Sequence, residues 1–194
     1  MALKDLILKN RSYRRFDQSV IVPMSLLREM VEAARLSGSA RNMQPLRYML
    51  FNNASDCERI FPTLAWAGYL KDWPGPGDGE RPSAYIIQLG DLDLTNDWWC
   101  DDGIAAQSML LTAVERGFGG CIVGSVQRER LRDLLQIPDH YEIIQVLALG
   151  RPAEEVVIDE AVPGSDGQVD IRYWRDTGGV HHVPKRGLDE LIIS

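Results

Sequence analysis

Cysteine is scarce in this chain: only Cys57, Cys100 and Cys121 occur in 194 residues, and no two are close enough to form a paired motif. That spacing excludes the C-x-x-C patterns of zinc and iron–sulfur sites and suits a reducing compartment. Long apolar runs are missing too, and none approaches the roughly 20 residues of a membrane-spanning helix. The opening Met1-Ala2-Leu3-Lys4-Asp5 lacks the basic region, apolar run and cleavage site of a secretory signal. A cytoplasmic protein with no membrane attachment is therefore expected. Positive charge is in deficit, with 21 Lys and Arg against 28 Asp and Glu and a net charge of -7. Such a balance excludes the broad basic surface that a nucleic-acid backbone rewards. Also absent are the G-x-S-x-G nucleophile turn, the phosphate-loop glycine-lysine signature and the G-x-G-x-x-G dinucleotide fingerprint. His181-His182 would point to opposite faces of an extended segment, and no neighbouring motif supplies further ligands, so no metal site is expected.

What is present is an ordered composition, 45% apolar and 25% charged, of a length that fits one domain spanning 1–194. Against the acidic background stands Arg11-Ser12-Tyr13-Arg14-Arg15-Phe16, with three guanidinium groups in six residues. Arginine forks pair with phosphate oxygens in a fixed geometry, so this stretch is either a phosphate site or the salt-bridged end of a first helix over residues 3–10. Arg128, Arg130 and Arg132 alternate with Glu129 and Asp133 and read as a solvated helix face.

Periodicity organises the remainder. Leu26, Leu27, Met30, Val31 and Ala34 form a helical stripe that ends near Ser37-Gly38. A second, nearly all-apolar helix is predicted from Asp101 or Asp102 to Arg116, with the acids at its positive end. Residues 57–70 read as a modest helix broken at Pro62. Strands are expected at 48–51, 85–89, 121–124 and 145–150, which makes the domain α/β or α+β. Residues 66–82 read as a variable loop or helical excursion. Within them Trp66, Tyr69 and Trp73 either line a substrate pocket or anchor the segment. Gly164–Gly167 is turn-rich, and 188–193 reads as a short terminal helix.

Taken in order, Arg11-Ser12 through Phe16, Ser39, Asn42, Gln44 and Pro45, Asp102 through Gln107, Gly117 through Gly124, Leu147 through Pro152 and Pro184-Lys185-Arg186 resemble the FMN-dependent nitroreductase family. The resemblance implies an α+β nitroreductase-like fold, with a central, mainly antiparallel sheet flanked by helices. It implies a homodimer with two FMN sites at the interface, across which the segment 164–194 packs. Carried over residue by residue, Arg11, Ser12, Arg14 and Arg15 would meet the flavin phosphate or ribityl chain, reinforced by Lys185 and Arg186. Ser39, Ala40 and Asn42 would approach from the other subunit, with Gln44 bordering the site. Cys121, Ile122, Val123 and Gly124 would border the ring's reactive edge, and Lys71 its pyrimidine side. No side chain is implied as catalytic, because bound FMN carries the chemistry. NADH or NADPH would donate hydride, and a nitroaromatic, quinone or related acceptor would then take the electrons in a double-displacement cycle. A flavin-binding regulatory protein with little turnover and a phosphorylated-metabolite-binding module are the alternatives.

Overall fold

In the computed structural model, which describes residues 2–164 and 167–193, the chain separates into two compact units. Ser165 and Asp166, inside the turn-rich Gly164–Gly167 stretch, lie outside the described residues.

The first unit comprises the residues up to Trp66 together with Pro74–Ala153. Its elements are α1 (Leu3–Lys9), β1 (Phe16–Asp17), α2 (Met24–Leu36), β2 (Leu46–Phe51), α3 (Ala54–Ile60), β3 (Ala84–Asp91), α4 (Asp101–Glu115), β4 (Gly119–Val123), α5 (Arg128–Leu135) and β5 (Tyr141–Pro152). The strands form an antiparallel sheet in the order β1-β5-β3-β2, and β4 lies on the same side of β5 as β1. Successive strand side chains point to opposite faces, so one strand can feed two cores. Ile86, Leu147 and Leu149 pack with Leu27 and Met30 of α2 and Met109 and Ala113 of α4. Tyr85, Ile87, Val146 and Ala148 pack on the other face with Cys57 and Ile60 of α3 and Leu131 of α5. Every residue of β3 is buried because both faces are covered. The α+β expectation holds, and the sheet is antiparallel with helices on both sides.

Several boundaries differ from the sequence reading for local reasons. The predicted 57–70 helix begins earlier, at Ala54, because the Asn53 side chain accepts the Asp56 backbone N–H at 2.9 Å as an N-cap. It gives way to a 3₁₀ turn over Phe61–Thr63, and no helix continues to residue 70. The arginines of α5 lie on a largely exposed face, as expected, but Arg128 and Arg132 also hold backbone carbonyls. Arg128 donates to the carbonyls of Ile143 and Ile144, at 2.8 and 2.9 Å. Arg132 donates to those of Ile137, Pro138 and Tyr141, at 3.1, 2.9 and 2.8 Å. Each guanidinium satisfies loop or strand oxygens that periodicity does not reveal.

The second unit contains Ala67–Trp73 and the residues from Glu154 onward. It holds β6 (Val156–Glu160), β7 (Trp174–Arg175), β8 (His181–Lys185) and α6 (Leu188–Leu191). β8 is central, parallel to β6 and antiparallel to β7. His181 and His182 do face opposite ways: His181 is buried beside Tyr173, whereas His182 stacks on Trp174 and meets Asp159 at 2.8 Å. Among the described residues no helix is long and apolar enough to cross a membrane.

The burial of the thiols gives a direct check. Cys57 and Cys121 are buried and Cys100 is exposed, and burial, with Asp56 nearby, pushes the Cys57 thiol up to about 11. Because the thiolate is the reactive form, a thiol reagent at neutral pH is expected to modify Cys100 quickly. The other two cysteines should react only on unfolding. Rapid release of three equivalents from native protein would contradict this packing.

Candidate cofactor site

After α1 the chain extends along the outer edge of β4. Ser12 forms a parallel bridge with Gly120, and the Tyr13 N–H donates to the Gly120 carbonyl at 3.1 Å. The aromatic residues of the arginine stretch fix its course. Phe16 is fully buried, and a Cβ built on Gly150 would lie 2.8 Å from its ring. A Cβ on Gly119 would lie 2.7 Å from the Tyr13 ring. These close approaches explain glycine at both positions and bring two motifs more than 100 residues apart in sequence into one strand edge.

The three arginines then separate. Arg15 grips Glu80 through both guanidinium branches, Nε at 2.9 Å and Nη2 in a second bond, and its own carbonyl accepts the Ala153 N–H at 2.9 Å. Its place is a tether to the loop before β3. Arg14 Nη1 donates to the Ser12 carbonyl at 3.3 Å. Arg11 Nη2 donates to the Ile7 carbonyl at 2.7 Å, while its Nε is buried with no acceptor. No carboxylate lies within ion-pair distance of Arg11 among the described residues. A buried guanidinium N–H without an acceptor is costly, so Arg11 could receive an anionic group here.

In β4, Cys121 and Val123 send their side chains into the core. Ile122 projects to the opposite face and is 44% exposed, and a Cβ on Gly124 would meet nothing within 4 Å. This corner of the sheet is open.

The polar loop between α2 and β2 is strongly shaped. Arg41, Asn42 and Gln44 all adopt left-handed backbone, with φ of 53°, 55° and 50°. Gln44 Nε2 donates to the Asn42 carbonyl and side-chain oxygens at 3.2 and 3.1 Å. Ser39 Oγ donates to the Asp101 carboxylate at 2.6 Å, and the Ala40 N–H donates to its second oxygen at 2.9 Å. Asp101, only 4% exposed, escaped the sequence reading because an acid at a helix start looks like dipole compensation. The side chain instead reaches out of its own helix. Beside it lies a 230 Å³ cavity lined by Val31, Ser39, Leu46, Tyr48, Asp101 and Ala105, among others. Burial, with the Asp101 charge nearby, pushes the Tyr48 phenol up to about 12.

The remaining candidates divide between the units. Lys185 ends β8 in the second unit, and Arg186 pairs with Glu190 at 3.1 Å there. Tyr69 packs on Tyr173, and Trp73 lies under the Arg175 guanidinium at 4.5 Å, both within the second unit. Lys71 is exposed in the same unit. Trp66 belongs to the first unit, stacked on Phe61 and pressed against Gly75, where a Cβ would come within 2.6 Å.

The model of the Nitroreductase family matches residues 7–74 and 82–151. A Thermus thermophilus protein named NADH dehydrogenase is 28% identical over 180 residues, spanning 78% of this chain and 87% of its own length. Among solved structures, an FMN-dependent nitroreductase from Clostridium difficile superposes with a TM-score of 0.66 at 20% identity, over 84% of this chain and 94% of that one. A nitroreductase-like protein from Streptococcus mutans gives a TM-score of 0.65 at 18% identity, over 78% of this chain and 89% of that one. At these identities the superpositions establish a common fold.

Proposed function

Since the chain belongs to the nitroreductase family, we propose that it is an FMN-dependent oxidoreductase that takes hydride from NADH or NADPH. It passes the electrons to a nitroaromatic, quinone or related conjugated acceptor, and it works as a homodimer. The observation that carries this reading is Arg11. Its buried Nε lacks an acceptor, and it stands beside Ser12 and Arg14 on a segment pinned to β4. Rigid, partly desolvated guanidinium forks are the donor set a phosphate monoester requires. The open corner at Ile122–Gly124 has room for a planar group, so the residues present fit FMN.

FMN, when bound, supplies hydride acceptance and electron delivery to the acceptor. The chain's own residues bind and orient. Arg11, Ser12 and Arg14 hold the phosphate and ribityl chain. The Cys121–Gly124 backbone presents N–H groups to the ring edge and favours negative charge there. Ala40, Asn42 and Gln44 of a second copy complete the site. A face for that copy is available: Leu3, Ile7 and Leu8 of α1 and Ile104 of α4 are all exposed. Exposed large apolar side chains on two neighbouring helices suit an interaction surface. The exposed Leu188, Leu191, Ile192 and Ile193 support a terminal segment that packs across the dimer.

The test is an absorbance spectrum of gently purified protein, followed anaerobically by NADH or NADPH. Bound flavin that bleaches and then recovers on addition of a quinone or nitroaromatic is the expected result. Parallel double-reciprocal plots should accompany it, because donor and acceptor occupy the site in turn. Protein that neither carries FMN nor binds it on reconstitution would overturn the proposal.

A further inference from the structure

We infer that Asp101 is the positioning residue that holds the Ser39–Gln44 loop in its cofactor-ready shape, an inference that rests on the FMN reading above. Non-glycine residues at positive φ persist only where their surroundings over-determine them, and this loop has three within four positions. The constraint comes from two carboxylates, one at each end.

At the first end, Asp101 accepts from Ser39 Oγ and from the Ala40 N–H, at 2.6 and 2.9 Å. Ser39 Oγ in turn accepts the Gln44 N–H at 2.9 Å, so a single hydroxyl bridges the carboxylate to the far side of the loop. At the second end, Arg47 donates to the Gln44 carbonyl at 3.0 Å and pairs with Asp91 at 2.9 Å. Asp91 is itself held in place: its carboxylate accepts the Asp93 N–H at 3.2 Å, and its own N–H donates to the Pro45 carbonyl at 2.9 Å.

Asp101 can act as a fixed point because the first turn of α4 is itself fastened to the central strands. Gln88 Nε2 donates to the Asp102 carbonyl at 3.1 Å, and Gln145 Nε2 donates to the Gln88 side-chain oxygen at 2.8 Å. Just before the helix, Trp98 lies flat over Gly90, where a Cβ would fall 2.2 Å from the indole. Strands β3 and β5 therefore set the carboxylate, and the carboxylate sets the loop.

One chemical consequence changes a site assignment. A serine hydroxyl has one hydrogen, and that of Ser39 is committed to Asp101. Ser39 cannot donate to a flavin oxygen while the loop keeps this shape, and Gln44 is engaged within the loop through both its N–H and its Nε2, so the Asn42 amide is a side-chain donor the loop offers a ligand. Ser39 is a strut.

Asp101→Asn keeps the side-chain shape but replaces one acceptor oxygen by a donor, and Ser39→Ala removes the hydroxyl that links Asp101 to the Gln44 N–H while leaving the Ala40 N–H on the carboxylate. Hydrogen exchange on the cofactor-free protein and FMN titration of both variants form the test. In Asp101→Asn, exchange at Ala40 and Gln44 should quicken at least tenfold while the amides of β3 and β5 keep their protection. FMN affinity should fall at least tenfold, and the visible circular dichroism of the bound flavin should change. In Ser39→Ala, the Gln44 amide alone should quicken, which a general loss of stability would not produce. Unchanged exchange and affinity in Asp101→Asn would overturn the inference, and should that variant fail to fold, unchanged Gln44 exchange in Ser39→Ala would do so. A parent protein that binds no FMN overturns the functional reading and the ligand half of this inference, whereas the exchange data still decide whether Asp101 holds the loop.

Discussion

Gly120→Ala is expected to cost about 3 kcal/mol of stability, at the upper end of overpacking effects. In a chain of this size that lowers the melting temperature by about 6–12 °C. A Cβ at this position would sit 2.3 Å from the Ala148 carbonyl oxygen and 2.7 Å from Leu149 Cδ2. The first of these is backbone in the paired strand, where Gly120 faces Leu149 and Cys121 faces Ala148, so it cannot rotate away as a side-chain tip would. Relief requires β4 to separate from β5 or the Ser12 bridge to open. Gly124→Ala is the control: its Cβ meets nothing within 4 Å, and its stability should stay within about 0.5 kcal/mol of the parent. Thermal denaturation of the two variants checks the contrast, and equal melting temperatures would show that β4 is not packed this tightly.

The second large effect concerns affinity. Replacing Arg11 and Arg14 together by alanine is expected to weaken FMN binding by about a hundredfold or more. Charge-assisted hydrogen bonds contribute about 1.5–3 kcal/mol each, and about 1.4 kcal/mol is tenfold. Removing Arg11 alone should change stability little, because its guanidinium bonds the Ile7 carbonyl of the adjoining helix. Arg15→Ala should behave in the opposite sense. It breaks the pair with Glu80, in which both side chains are about one-third exposed, so a loss of about 1 kcal/mol or less is expected, with FMN affinity nearly intact. Titration of FMN fluorescence against all three variants separates the roles. Equal affinity of the double variant and the parent would remove the phosphate assignment.

Much of the fold is legible in periodicity. The α2 stripe of Leu26, Leu27, Met30 and Ala34 is buried as its spacing requires, and α4 spans Asp101–Glu115, one residue short of the expected end. Features set by single long-range bonds are less legible. Nothing local to Arg128 or Arg132 announces that carbonyls at the start of β5 await them. Nothing local to Asp101 announces that its carboxylate belongs to a loop some 60 residues earlier. β6 was missed because its alternating burial is shallow, with no residue fully covered. The arginine stretch illustrates both situations. Its composition points to an anion, but only the fold shows that Arg15 is occupied by Glu80 and that Arg11 retains a buried donor.

The bridge between Ser12 and Gly120 also bears on self-association. β4 borders β5 on one side only, and an unpaired strand edge is a template for another chain. The arginine-bearing segment covers that edge at Gly120 and places like charges beside it, a defence against edge-to-edge pairing that natural sheets use widely. Its cover does not extend to Ile122, whose apolar side chain stays exposed. On the cofactor reading proposed above, ligand retention and colloidal behaviour would be coupled at this strand: a group seated at the corner would cover the exposed Ile122 side chain, and its loss would uncover it.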